Sequence, residues 1–248
     1  MEIAAHRGVS SLAPENTLVA FKQAIQAGCK WVELDVQLSM DKVPVVFHDN
    51  TVDRCTNGNG LISEMTLEGL KLLDAGQWFS KEFINEPIPT LSEILLLAKQ
   101  TKLHINIEIK YYPEDDLMLL CQEVARVINE SNIPFSQLLF SCFNTEALKI
   151  MQRIQPQIRR GQLWEKVPHN ALAVLREIDA YSAHCQYQFL TEQQAILIKK
   201  HHYKLICYTA NQPEEVRKHR DWGVDIMITD TPQSYFEISK LDSYHSIM

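Results

Sequence analysis

Residues 31–39 of the chain read Trp-Val-Glu-Leu-Asp-Val-Gln-Leu-Ser, a strict polar/apolar alternation. Successive side chains of a strand point to opposite faces. Trp31, Glu33, Asp35 and Gln37 therefore share one side, and Val32, Leu34, Val36 and Leu38 the other. Segment 104–110 repeats the pattern, with His104, Asn106, Glu108 and Lys110 on one face and Ile105, Ile107 and Ile109 on the other. Two strands that bury an aliphatic face and carry carboxylates opposite it predict a barrel, apolar outside under its helices and polar inside at one end. The rest of the chain keeps a strand and helix rhythm. Strands are expected at 3–5, 138–142, 158–164, 179–184, 204–209 and 225–229. Helices are expected at 17–27, 91–100, 115–130, 145–154, 168–177, 191–202 and 213–221, with Thr17 as a cap for the first.

Val43–Phe47 is a further strand, separated from the first by residues 39–42 alone. A parallel crossover needs a dozen residues or more, so these two strands should form an antiparallel hairpin that returns His48 to the rim near Glu33 and Asp35. Without this return arm the strands number eight, the count of a (β/α)8 TIM barrel. Residues 50–90 have little periodicity and are expected to be a small insertion beside the barrel mouth, with Trp78 and Phe79 in its own small core in preference to an apolar lip for a lipid chain. The expectation is one TIM-barrel domain over residues 1–248.

Composition narrows the function classes. A net charge of -7 leaves no basic footprint for nucleic acid or an anionic membrane. An anionic substrate would have to be attracted by local charges. No apolar run approaches the 18 residues of a membrane span, and the N-terminus has no secretory signal pattern. Six scattered cysteines without a C-x-x-C pair are expected to be reduced core thiols in a cytoplasmic protein.

The candidate chemistry sits at predicted strand ends: His6 and Arg7, Glu33 and Asp35, Glu108 and Lys110. In a TIM barrel the C-terminal face of the sheet carries the active site. Glu33 and Asp35 lie roughly 7 Å apart on one face and repel unless a positive charge intervenes. With Glu108 they make an oxygen-ligand site for one hard divalent cation, Mg2+ or Ca2+, and no histidine or cysteine pair has zinc-ligand spacing. Two histidines, an arginine and a lysine beside it form a kit for phosphoryl chemistry. Phe143 and Trp164 each follow a predicted strand and are candidate pocket walls. His169, His184, His201, His202 and His219 are expected at the surface or at helix ends, and Trp31 as barrel filling below the metal site.

These residues carry a family resemblance. His6-Arg7-Gly8, Pro14-Glu15-Asn16-Thr17, Glu33-Leu-Asp35, Val46-Phe-His48-Asp49 and Glu108-Ile-Lys110 resemble the glycerophosphodiester phosphodiesterases. Ile88-Pro-Thr-Leu91, Gly223-Val-Asp225 and Ile228-Thr-Asp230 extend the likeness over essentially the whole chain. The resemblance implies a TIM barrel with a small insertion and a divalent metal. It implies hydrolysis of glycerophosphodiesters to glycerol 3-phosphate and an alcohol. By matching position it implies His6 and His48 as the acid/base pair and Glu33, Asp35 and Glu108 as metal ligands. Arg7 and Lys110 would hold phosphate, and Glu15 and Asn16 would support the site. The family often has tryptophan where Tyr208 stands and glycine where Ile226 stands; both changes touch the pocket wall or a strand start, not the acid/base pair. Rival readings are a phospholipase C-like lyase, a lysophospholipase D-type enzyme and a catalytically inactive binding barrel.

Overall fold

A computed structural model of the chain describes residues 1–237. The alternation at 31–38 becomes β2 (Trp31–Leu38), with β1 (Glu2–His6) on one side and β4 (His104–Ile109) on the other, both parallel to it. The pairing continues through β5 (Leu138–Cys142), β6 (Arg159–Trp164), β7 (Ser182–Gln186), β8 (Lys204–Tyr208) and β9 (Ile226–Thr229), which returns to β1. Eight parallel strands thus close into a (β/α)8 TIM barrel. The return arm β3 (Pro44–Val46) pairs antiparallel with β2, Val36 opposite Val46. Gln37 ties it down by donating to the carbonyls of Phe47 and Asp49.

Helices follow the strands: α1 (Leu18–Gln26), then α3 (Leu91–Thr101), α4 (Leu117–Ser131), α5 (Thr145–Ile154), α6 (Ala171–Glu177), α7 (Glu192–Lys200) and α8 (Arg217–Asp221), with α2 (Leu67–Lys71) inside the 50–90 segment. Thr17 caps α1, accepting from the amide of Ala20. A Thr90–Glu93 capping box starts α3. The aliphatic faces of β2 and β4 pack beneath α1, α3 and α4, with Val32, Leu34, Ile105 and Ile107 fully buried. Each such side chain contributes about 1.5–3 kcal/mol by leaving water.

Inside the barrel the strands stack their inward residues in layers, as β register requires. Trp31, Ala4, Leu139, Ile206, Ile226 and Ile228 fill the lower layer, with His104 stacked on Trp31 at 4.8 Å. Above it His6, Glu33 and Asn106 are in register across three strands, and Asp35 and Glu108 across two. The polar layer therefore sits on an apolar floor at the C-terminal end.

Four sequence expectations change. The strand expected at 179–184 lies at Ser182–Gln186, because the buried guanidinium of Arg160 takes the carbonyls of Ile178 and Asp179 and holds that stretch as a turn. The helix expected at 213–221 is a 3-10 turn, Pro213–Val216, before α8. His184 is on a strand and buried, neither at the surface nor at a helix end, and meets Ser182 Oγ at 2.8 Å inside the barrel; His219 is in the last turn of α8, a helix end, but buried, with Nε2 2.8 Å from the carbonyl of Tyr187. Gly161 leaves the space for His184, since a Cβ there would lie 2.2 Å from the imidazole Nε2. Finally, the 50–90 segment has its own apolar cluster, but Val45, Phe47, Val52, Cys55, Ile62, Leu70, Ala75 and Ile88 build it. Trp78 is 40 % exposed and meets Phe79 edge to face.

Candidate active site

β1 delivers His6 to the mouth of the barrel and the chain turns at once. Arg7 and Gly8 both take positive φ, 55° and 82°. A Cβ on Gly8 would lie 2.6 Å from Ala20 of α1, so glycine is what lets the helix close over this turn. The turn aims the Arg7 backbone amide at Glu33 Oε2, 3.2 Å away. Its guanidinium reaches Asp35 Oδ2 with Nε at 3.1 Å and Glu15 Oε1 at 2.7 Å. Asn16, also at positive φ, donates to Asp35 Oδ2 at 2.8 Å. From the other side Lys110 Nζ lies 2.6 Å from Glu108 Oε1 and 3.1 Å from Asp35 Oδ1.

Glu33, Asp35 and Glu108 bring one carboxylate oxygen each to within 4.8 Å of one another. Burial and the neighbouring Asp35 and Glu108 push Glu33 well above the usual carboxylate range. Burial and Asp35 push Glu108 up as well. Asp35 is held low: burial opposes its ionisation, but Lys110 and Arg7 outweigh it. Three converging hard oxygen donors, two of which are pushed toward neutrality by burial and by neighbouring carboxylate charge, fit a divalent cation with oxygen ligands. Arg7 is paired with Asp35 and Glu15, and Lys110 with Glu108 and Asp35, so a cation would chiefly compensate Glu33.

The two histidines face the same cavity. His6 Nδ1 is 2.7 Å from Asp230 Oδ1, and His48 Nδ1 is 2.6 Å from Asp49 Oδ1. A carboxylate at Nδ1 fixes the tautomer and leaves Nε2 for chemistry. Asp230 also accepts from Ser10 and Asn211; burial raises its pKa, but His6, Asn211 and Ser10 together hold it below the usual range. Asp49 is held down to about 2 by hydrogen bonds from Arg54, against partial burial, and from His48. Burial lowers the His48 pKa, and Arg7 and Lys110 lower it further against Asp35 and Asp49. Tyr112 fixes the backbone of His48 by donating its hydroxyl to the carbonyl at 2.5 Å.

The cavity measures about 220 Å³, with His6, Arg7, Glu33, His48, Glu108 and Lys110 on its polar side. Phe143, Leu163, Tyr208 and Ile228 form apolar wall, and Asn106 joins from β4. Trp164 is not among the lining residues. It packs against the apolar cluster on the helix side, and only its carbonyl comes inward, accepting the Tyr208 hydroxyl at 2.9 Å. Alternation along β6 is the reason: Leu163 points in, so Trp164 points out. A wider groove of about 510 Å³ shares His48, Glu108, Lys110 and Phe143 with the cavity and extends to Tyr111 and Tyr112.

Asp230, Asp49 and Arg54 complete the site without having been singled out from the sequence for a role. Asp49 and Asp230 lie within motifs that carry the resemblance, which was the available signal. Arg54 had none, because only the fold of the 50–90 segment brings it to Glu15 and Asp49.

A barrel that gathers acids, bases and fixed cations at its C-terminal mouth is built as an enzyme for an anionic substrate. The sequence matches the glycerophosphoryl diester phosphodiesterase family over residues 6–234, and the chain belongs to that family of enzymes. It is 35% identical over 240 residues to a glycerophosphodiester phosphodiesterase of Caldanaerobacter subterraneus subsp. tengcongensis, covering 95% of this chain and 96% of that one. A glycerophosphodiester phosphodiesterase of Bacillus altitudinis is 31% identical, with 96% and 97% covered. Among solved structures, an Oleispira antarctica phosphodiesterase in complex with the product sn-glycerol-3-phosphate superposes with a TM-score of 0.91 at 36% identity, covering 96% of this chain and 97% of that one. No helix among the described residues is long and apolar enough to cross a membrane.

Proposed function

We propose that the chain hydrolyses glycerophosphodiesters to glycerol 3-phosphate and an alcohol, with His6 and His48 as its acid/base pair. The observation that carries this reading is the two imidazoles facing one cavity, each with Nδ1 on a carboxylate. Arg7 and Lys110 bind the phosphate oxygens, Glu15 and Asn16 hold Arg7 and Asp35 in place, and Phe143 and Tyr208 form apolar wall. One histidine Nε2 takes a proton from the attacking water as the water oxygen bonds to phosphorus. The bond from phosphorus to the alcohol oxygen breaks, and the other histidine gives its proton to that oxygen. In-line displacement puts the two groups on opposite faces of phosphorus. Glu33, Asp35 and Glu108 hold one divalent cation, Mg2+ or Ca2+, which supplies positive charge to the phosphate oxygens.

Residues 1–237 act as one TIM-barrel domain in this reading; the expected extension of that domain to 248 lies outside the described residues. Six buried thiols, none in a disulfide, support a reducing, cytoplasmic setting. The net charge of -7 speaks against nucleic acid as a partner.

Phosphorus NMR of products from several glycerophosphodiesters, with and without a chelator, tests the reaction. Glycerol 3-phosphate is expected, and a cyclic phosphate as sole end product would move the chain to lyase chemistry of the phospholipase C type. His6→Ala and His48→Ala should each lower kcat by roughly 10²–10⁴-fold. A p-nitrophenyl phosphodiester separates their roles, because its leaving group needs no proton. Loss of the general acid should then cost little, and loss of the base should cost in full. Equal impairment on both substrates would refute separate roles.

A further inference from the structure

Arg54 stands outside the cavity and its side chain is 45% exposed, yet it makes four hydrogen bonds to two carboxylates. Its Nε and one terminal nitrogen donate to the two oxygens of Asp49 at 2.7 and 2.9 Å. Its two terminal nitrogens donate to the two oxygens of Glu15, both at 2.8 Å. Each carboxylate in turn holds a group that lines the cavity: Asp49 the Nδ1 of His48, Glu15 the guanidinium of Arg7. A single exposed ion pair ordinarily stabilises a fold very little. This arrangement differs because one planar fork spans two carboxylates from separate parts of the chain. Glu15 comes from the turn before α1 and Asp49 from the end of the hairpin.

The backbone that presents Arg54 is fixed as well. Val52 and Cys55 on either side are buried in the apolar cluster of the 50–90 segment. The amide of Val52 donates to the carbonyl of Gly60, and the Thr56 hydroxyl donates to the carbonyl of Val52. The segment thus holds a rigid arm against the catalytic mouth.

Resting on the hydrolytic reading of the cavity, we propose that Arg54 is a positioning residue that clamps Glu15 and Asp49 together, so that Arg7 and His48 address the same phosphodiester. Without the clamp, Asp49 keeps its place beside His48 but gains rotational freedom, and the imidazole loosens with it. Supporting partners of this kind typically change activity 10–100-fold, and displacement of a reacting group by about 1 Å can cost 10²-fold.

The test uses full-length enzyme saturated with Mg2+ or Ca2+ and glycerophosphocholine as substrate. Wild-type release of glycerol 3-phosphate comes first; wild-type inactivity on every glycerophosphodiester would overturn the proposed reaction, and the clamp with it. Against an active wild type, Arg54→Ala should lower kcat 10–100-fold while circular dichroism and Tm report a folded protein. Methylguanidinium in the buffer should restore several-fold of that loss. Arg54→Lys keeps the charge but cannot span both carboxylates, so it should recover only part of the rate; it carries the test if Arg54→Ala does not fold. The Arg54 variant combined with Asp49→Asn should fall short of the product of the two single losses, because the share of the Arg54 loss that runs through His48 is already gone with Asp49. Unchanged kcat in Arg54→Ala, full activity in Arg54→Lys, or losses that multiply in the double variant would each overturn the clamp.

Discussion

Asp230→Asn perturbs the site at one atom pair. Asp230 Oδ1 lies 2.7 Å from His6 Nδ1, while Ser10 donates to the same oxygen at 2.8 Å and Asn211 to the other at 2.8 Å. Asparagine keeps the size but removes the charge, and if its amide nitrogen turns toward His6 it fixes the wrong tautomer. A hydrogen bond to a charged partner contributes about 1.5–3 kcal/mol, and 31% exposure of the Asp230 side chain argues for the lower end. At about 1.4 kcal/mol per factor of ten, the expected loss in kcat is at least about tenfold. The assay is steady-state release of glycerol 3-phosphate from glycerophosphocholine. Ser10→Ala is the control: it removes a hydrogen bond to the same oxygen but no charge, and should cost less than about threefold in kcat. If Asp230→Asn retained kcat within about twofold of wild type, the carboxylate would not be orienting His6, and the acid/base assignment of His6 would lose its structural support.

Exhaustive EDTA treatment should abolish hydrolysis and added Mg2+ or Ca2+ should restore it; full activity after chelation would exclude a cation among Glu33, Asp35 and Glu108. Arg7→Lys should raise KM and lower kcat, because lysine cannot span Asp35 and Glu15 and still present a fork to phosphate; normal kinetics would move Arg7 out of phosphate recognition. His184 gives a stability prediction remote from the chemistry. Burial holds its pKa down to about 3, so between about pH 6.5 and 3 the unfolded chain binds a proton that the folded one refuses. Stability therefore falls as pH falls through that window, by up to about 1.4 kcal/mol per pH unit. Urea denaturation should find wild type losing about 2 kcal/mol more than His184→Gln between pH 7 and pH 5, and equal losses would mean that His184 is not the refusing group.

The barrel was legible where one face of a strand is uniformly apolar. In β2 and β4 the aliphatic positions must go under helices, so the carboxylates at Glu33, Asp35 and Glu108 must go inside, whatever the rest of the chain does. The hairpin was legible from length alone, because four residues cannot carry a parallel crossover. Periodicity carried less where a distant side chain decides the backbone. Arg160 claims the carbonyls of Ile178 and Asp179 from another strand, and nothing local in 179–184 announces that. Trp164 was placed by its position after a strand, but strand parity turns it outward and gives the wall to Leu163. His184 looks like any polar residue in sequence, and only the gap over Gly161 makes room for it inside. Local sequence thus determined the inward faces of β2 and β4 and the residues able to do chemistry there, because side-chain alternation is a property of the backbone itself. Tertiary structure alone decided which carboxylates serve which base, since Asp230 meets His6 across 224 positions and Arg54 meets Glu15 across 39, and such contacts exist only once the barrel has closed.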